Sequence, residues 1–248
     1  MKTQNNHRTS LINLIKQVSY RHSTWTVFQD FLELSAIAMS NAIDYRERDE
    51  REKRYLDVVA KYDKREVDLI VKMFAELSMA LEDEPADVLG SIYHELELSN
   101  KWNGQFFTPM SIANMMGLMV IDGIKEQIAR NGYATVSEPT CGGGAIIIGL
   151  ANAMMKEGIN YQKHLFVTAV DIDLKSVYMT YLQTGLLGIP AVVIHGDSLA
   201  VKEYTRLYTP MYVMNGWHKY MVNEKVKIDV NGIGKNNEPI IKPIDRAS

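Results

Sequence analysis

One cysteine in 248 residues excludes an internal disulfide and suits a reducing cytoplasm. The opening MKTQNNHRTS lacks the apolar core that a secretory signal needs. The longest apolar stretches, 112–121 and 145–155, are too short and too interrupted to cross a bilayer. Six histidines are dispersed without ligand spacing, which argues against a metal enzyme and leaves no base placed to activate the cysteine. A basic surplus is missing too. The net charge of -3 is the wrong sign for a chain that holds nucleic acid unaided, although a basic face can exist within a balanced total. These absences leave a cytoplasmic protein with neither metal nor membrane.

What is present is enough apolar material for a core: 46% hydrophobic against 23% charged residues allows one large domain, or a small one plus a medium one. Residues 1–99 read as helical. Leu11, Ile12, Leu14, Ile15 and Val18 share one side of a short helix. Phe28, Phe31, Leu32, Ser35, Met39 and Ile43 then recur at spacings of three and four. The run RERDEREKR, from Arg46 to Arg54, alternates in sign. It reads as a solvated helix face or turn laced with ion pairs in preference to a phosphate-binding patch. A second amphipathic stretch over 55–81, striped by Leu69, Ile70, Met73, Phe74 and Leu77, breaks at Glu84-Pro85. One more helix is expected over 87–98.

From Gly104 the texture changes. Thr108-Pro109 predicts a helix start, with Thr108 as cap and Pro109 at the first helical position. Three β-like runs follow, each closing on an acidic or glycine-rich turn: 133–137 before EPTCGGG, 165–170 before DID, and 191–195 before GDS. Helical patterns over 145–156 and 174–187 lie between them. This alternation predicts the start of a doubly wound parallel sheet, so residues 100–248 are expected to form an α/β domain. Its end is atypical: 211–214 suggests a fourth short strand, 225–230 a fifth, and the tail is rich in turns.

In such a sheet ligands bind at the carboxyl ends of the strands. The loop Glu138-Pro139-Thr140-Cys141-Gly142-Gly143-Gly144 lets the backbone approach a ligand and precedes a helix with free N–H groups. Alone it is equally a tight turn, and it fits neither the phosphate loop nor the dinucleotide fingerprint. Asp171, closing the second strand, is placed to accept both hydroxyl protons of a ribose, and Asp173 is alternatively a helix cap. Asp197, closing the third, is placed to accept from the exocyclic amine of adenine, or is a turn aspartate. Together the three acids point to an adenosine-containing ligand.

In order, GQFFTP (104–109), EPTCGGGA, VTAVDID and GDSL resemble the adenine-N6 DNA methyltransferases, above all the modification subunit of type I restriction systems and related mobile-element proteins. Asp87, Gly90 and Tyr93 match the D-x-x-G-x-x-Y pattern that ends the helical domain of that family. The resemblance implies a Rossmann-like S-adenosylmethionine-dependent methyltransferase sheet behind a helical N-terminal domain. It assigns Phe106, Thr108 and Pro109 to the methionine end of the cofactor. Glu138, Cys141, Gly142 and Gly144 would surround its carboxylate, amine and sulfonium, Asp171 would hold the ribose and Asp197 the adenine. Cys141 then packs beside the cofactor. Two departures are Glu138 for the family's aspartate and Gly143 for its serine.

A third departure concerns catalysis. The family carries [NDS]-P-P-[FYW] after its fourth strand, where two acceptors polarise the adenine amine and an aromatic ring stacks on the flipped base. No such tetrapeptide follows Asp197. Asn215-Gly216-Trp217 is the nearest candidate, with Asn215 as acceptor and Trp217 as stacking residue; a turn with a packed tryptophan is the alternative. About 50 residues follow Asp197, too few for four more strands and a DNA-reading domain, so a truncated sheet is expected. Two readings compete. One is an adenine-N6 methyltransferase that meets DNA through a specificity subunit or another protein partner. The other is a cofactor-binding pseudo-methyltransferase acting on partners. A small-molecule methyltransferase fits the cofactor motifs but not QFFTP or the helical domain.

Overall fold

The computed structural model describes residues 2–83, 85–96 and 107–219. Five helices come first: α1 (Lys2–Val18), α2 (Thr24–Ile43), α3 (Arg48–Val59), α4 (Lys64–Asp83) and α5 (Val88–Glu95). The α/β part follows as α6 (Met110–Asn131), β1 (Ala134–Glu138), α7 (Ala145–Lys156), α8 (Tyr161–His164), β2 (Leu165–Asp171), α9 (Leu174–Leu186), β3 (Ala191–Asp197), β4 (Lys202–Tyr208) and α10 (Pro210–Met214).

The long amphipathic stretch expected over 55–81 is two helices. Asp63 and Glu66 form a reciprocal capping box: the Glu66 amide donates to Asp63 Oδ1 and the Asp63 amide to Glu66 Oε2, both at 2.9 Å, which restarts the chain as α4. The mixed-charge run is a turn at Arg46 and Glu47 followed by the first residues of α3, with ion pairs, as expected: Arg54 reaches Glu33, Arg46 reaches Asp44, and Arg51 donates to Asn41. Asp87 caps α5. The expected boundary between residues 99 and 100 lies outside the described residues, as does the strand expected over 225–230.

The sheet has the order β1-β2-β3-β4. The first three strands are parallel, paired Glu138↔Ala169 and Asp171↔His195, and β4 returns antiparallel along β3. Side chains alternate across a sheet, so this register sorts the residues into two faces. Ala134, Leu165, Val167, Ala169, Ala191 and Val193 join the main core, which continues through α6, α7 and α9 into the helical part. Phe166 and Val192 point the other way and meet Tyr208, Tyr212 and Trp217. The region expected as a fourth strand, 211–214, is instead α10: Pro210 is pre-set for a first helical turn and Tyr212 buries against Phe166. The strand that is present, β4, was hidden from an apolar-run reading because Lys202, Glu203, Tyr204 and Thr205 are exposed.

Where α6 crosses α7 there is no room for side chains. A Cβ on Gly149 would lie 2.4 Å from the Ala113 backbone, and one on Gly117 would lie 2.5 Å from the Gly149 oxygen. Helices this close are locked by shape. Gly149→Leu should therefore lower stability by about 2–3 kcal/mol, seen as a lower urea midpoint; an unchanged midpoint would contradict this crossing.

Candidate functional site

The three acids lie where the chain leaves the sheet. In the parallel register Asp171 sits two residues beyond the partner of Glu138, and Asp197 two beyond the partner of Asp171. The same parity places all three on the face that carries α7 and α9. At the usual strand spacing and rise they form a staircase with steps of roughly 8 Å. An extended ligand with three polar stations fits such a row.

The loop between β1 and α7 is shaped by glycine. Gly142 (φ 54°) and Gly144 (φ 91°) are both left-handed, a conformation that side chains resist. The loop is tied to the staircase: the Gly142 amide donates to Asp171 Oδ2 at 2.8 Å and the Cys141 amide to the Val170 oxygen at 2.9 Å. Asp171 Oδ1 accepts the Asp173 amide at 2.9 Å. Each oxygen of Asp171 thus holds one backbone donor and retains a second lone pair, which suits two vicinal hydroxyls. Asp173 caps α9, accepting from the Lys175 amide. Asp197 closes its turn through Oδ1, which accepts from the Leu199 and Ala200 amides at 2.9 Å. Among the described residues Oδ2 accepts from none. The turn roles are therefore real and leave both carboxylates with acceptor capacity.

Glu138 is half-buried, and burial, with the nearby charge of Asp171, raises its pKa against the lowering effect of Thr140. Cys141 is buried, and desolvation pushes its thiol up to about 12, so it is a packing residue and not a thiolate nucleophile. Ser198 donates to the Pro139 oxygen, which brings the turn after β3 over the loop after β1. Among the described residues no three His, Cys, Asp or Glu side chains gather as metal ligands. A 330 Å³ cleft lined by Asn41, Arg48, Glu52 and Tyr55 lies in the helical part and contains none of the acids.

Phe106 lies outside the described residues. Thr108 and Pro109 enter beside the loop through Phe107, whose ring stands 3.1 Å from where a Gly142 Cβ would be. The cap of α6 is Pro109 and not Thr108: its ψ of 140° keeps it extended, and the helix begins at Met110. Phe107 is one residue that a reading of the motifs alone passed over. Its amide donates to His94 Nε2 at 3.2 Å and its ring meets Tyr93 edge-on at 5.2 Å. Tyr93 in turn lies 4.9 Å from the Lys175 ammonium, with Trp25 4.8 Å from the same charge. Ile172 was also missed. It is 63% exposed, an apolar side chain next to Asp171 in the turn that closes β2. Its signal was an apolar residue set between two acids in a turn.

Asn215 and Trp217 are not at this end of the sheet, and the expectation that they act on a base bound beside the three acids is corrected. Asn215 Nδ2 donates to the Gln162 oxygen in α8, ahead of β2. Trp217 is 3% exposed, stacked on Phe166 at 5.5 Å and edge-on to Tyr133 at 5.2 Å. Tyr133 and Phe166 sit at the amino ends of β1 and β2, so both candidates lie across the sheet from the acids. The aromatic belongs to the second core, and the asparagine ties α10 to α8.

A search among curated proteins gave no match. Among solved structures, a proposed class I S-adenosylmethionine-dependent methyltransferase from Listeria monocytogenes aligns with a TM-score of 0.43 and 13% identity, over 79% of this chain and 55% of that one. This chain thus spans about half the length of that protein. The family described as N-6 DNA methylase matches residues 84–226, from the start of α5 through every strand of the sheet. The chain belongs to the N-6 DNA methylase family.

Proposed function

We propose that this protein binds S-adenosylmethionine along the carboxyl ends of β1, β2 and β3 and serves in adenine-N6 methylation of DNA, of the restriction-modification kind. The observation that carries the reading is the staircase of Glu138, Asp171 and Asp197 on one sheet face, bound to a bare glycine loop. Asp171 accepts the ribose hydroxyls, Asp197 Oδ2 accepts the adenine amine, and Ile172 offers an apolar wall to the base. Glu138 lies beside the methionine ammonium, with Cys141, Gly142 and Gly144 lining that end. When bound, the cofactor supplies a sulfonium methyl for transfer. This chain's residues hold it in place and keep Cys141 out of the chemistry.

DNA is met together with a protein partner such as a specificity subunit. The net charge of -3 supports this. So does α6, where Ile112, Met115, Met116 and Met119 make an exposed apolar stripe of the kind an associated protein covers. The buried single cysteine fits a cytoplasmic setting. A second reading, a cofactor-binding relative that works through partners without transferring methyl, is favoured by one observation: Asn215 and Trp217 lie at the wrong end of the sheet.

Calorimetric titration with S-adenosylmethionine should show micromolar binding by the wild type. Asp171→Ala and Asp197→Ala should lose it while remaining folded, and Asn215→Ala should retain it. No binding by folded wild type would sink the cofactor site. Labelled methyl appearing on N6 of adenine in DNA supports the first reading; binding with no transfer, with or without partner, supports the second.

The raised pKa of Glu138 adds a pH signature. An ionised Glu138 pairs with the ligand's ammonium, so affinity should fall on acidification, starting above the pH where ordinary carboxylates titrate. Glu138→Gln should bind more weakly and show a flatter profile. An identical pH dependence in that variant would remove Glu138 from the site.

A further inference from the structure

We propose that Gln183 and Asp87 are positioning residues for the glycine loop, so that the helical part of the protein sets the affinity of the cofactor site; the proposal rests on the cofactor reading given above. Neither side chain lies on the open side of the loop. Gln183, fully buried on α9, uses both donors and its acceptor to bridge two other segments, the loop and the start of α5. Its Nε2 donates to the Gly143 oxygen at 2.6 Å and to Asp87 Oδ1 at 2.9 Å, and its Oε1 accepts the Leu89 amide at 3.0 Å. Asp87 Oδ1 also takes the Gly90 amide at 2.7 Å, so one carboxylate oxygen joins the cap of α5 to Gln183, and through it to the loop.

The fit is steric as well as polar. A Cβ on Gly143 would lie 2.9 Å from both carboxylate oxygens of Asp87, and one on Gly90 only 2.1 Å from Oδ2. Asp87 thus explains both glycines, one in its own helix and one in the loop. One turn earlier on α9, Thr180 donates to the Gly142 oxygen at 2.9 Å. Two successive loop carbonyls are therefore drawn down onto α9. The trans peptide whose oxygen Thr180 holds turns the Gly143 amide away from α9, and the peptide whose oxygen Gln183 holds donates its Gly144 amide to the Cys141 oxygen at 2.8 Å, so these bonds fix the shape of the loop at the entrance to α7. Without Gln183 the Gly143 carbonyl is buried and unanswered, and the peptide gains reason to turn over.

The test uses Gln183→Met, close in shape but unable to hydrogen-bond this way. Asp87→Ser is the companion, short enough to lose Gln183 while still capping Gly90. The control is Tyr161→Phe, which removes a buried bond to the Leu187 oxygen at the far end of α9 without touching the loop. Two quantities are read: the dissociation constant for S-adenosylmethionine, and hydrogen exchange of the Cys141 and Gly144 amides in ligand-free protein. Gln183→Met should raise both at least tenfold and Asp87→Ser at least threefold, whereas Tyr161→Phe should lower the melting temperature with both quantities within twofold of wild type. Equal affinity and equal exchange in Gln183→Met, or the same change in the control, would overturn the proposal. If wild type binds no cofactor, the function reading fails, and the exchange rates still decide whether Gln183 positions the loop.

Discussion

Gly142, Gly143 and Gly144 have no side chains with which to fix their own conformation, and the site depends on how their backbone groups are answered from outside. Asp171 answers the Gly142 amide, Thr180 its oxygen, and Gln183 the oxygen of Gly143. A buried polar backbone group left without a partner costs about 1–3 kcal/mol, which corresponds to roughly a fivefold to hundredfold change in an equilibrium constant. Each of these bonds therefore bears on the shape of the loop, although of the three side chains only Asp171 stands at the row of acids. Bare backbone allows close approach, and rigidity is supplied from β2, α9 and α5.

The same bonds give a physical account of the Asp87, Gly90, Tyr93 pattern. Asp87 caps α5 and touches the loop, Gly90 is glycine because Asp87 fills the space beside it, and Tyr93 packs between Phe28, Trp25 and Phe107 near the Lys175 charge. A signature lying in the helical part is thus a joint between that part and the glycine loop. Core residues run continuously across the joint, so the helical part acts as one wall of the site's support.

Much of the candidate site was legible because β2 and β3, buried over most of their length, appear as short apolar runs that stop at polar turns, and β1 runs into a glycine-rich loop. Those signals placed Glu138, Asp171 and Asp197 at strand ends, and helical periodicity gave the bounds of α7 and nearly those of α9. It failed where burial is one-sided. Most of β4 is exposed, so its sequence carries no apolar run, whereas Tyr212 and its neighbours look strand-like yet form a helix behind Pro210. The break between α3 and α4 was written as Asp63-x-x-Glu66 but masked by continuing apolar periodicity. Gln183 gave no signal, since a glutamine within a helix is ordinarily surface. Asn215 and Trp217 show the limit of order along the chain: the right residue types follow the third acid, but antiparallel β4 first returns the chain to the amino end of the sheet, where α10 leaves them.

Backbone amide shift mapping during titration with S-adenosylmethionine tests most directly which end of the sheet holds the ligand. The account predicts saturable shifts at residues 140–144, 171–173 and 197–199, with those at 162, 166 and 212–217 unmoved. Shifts centred on Gln162, Phe166 and Trp217, with the glycine loop silent, would contradict it.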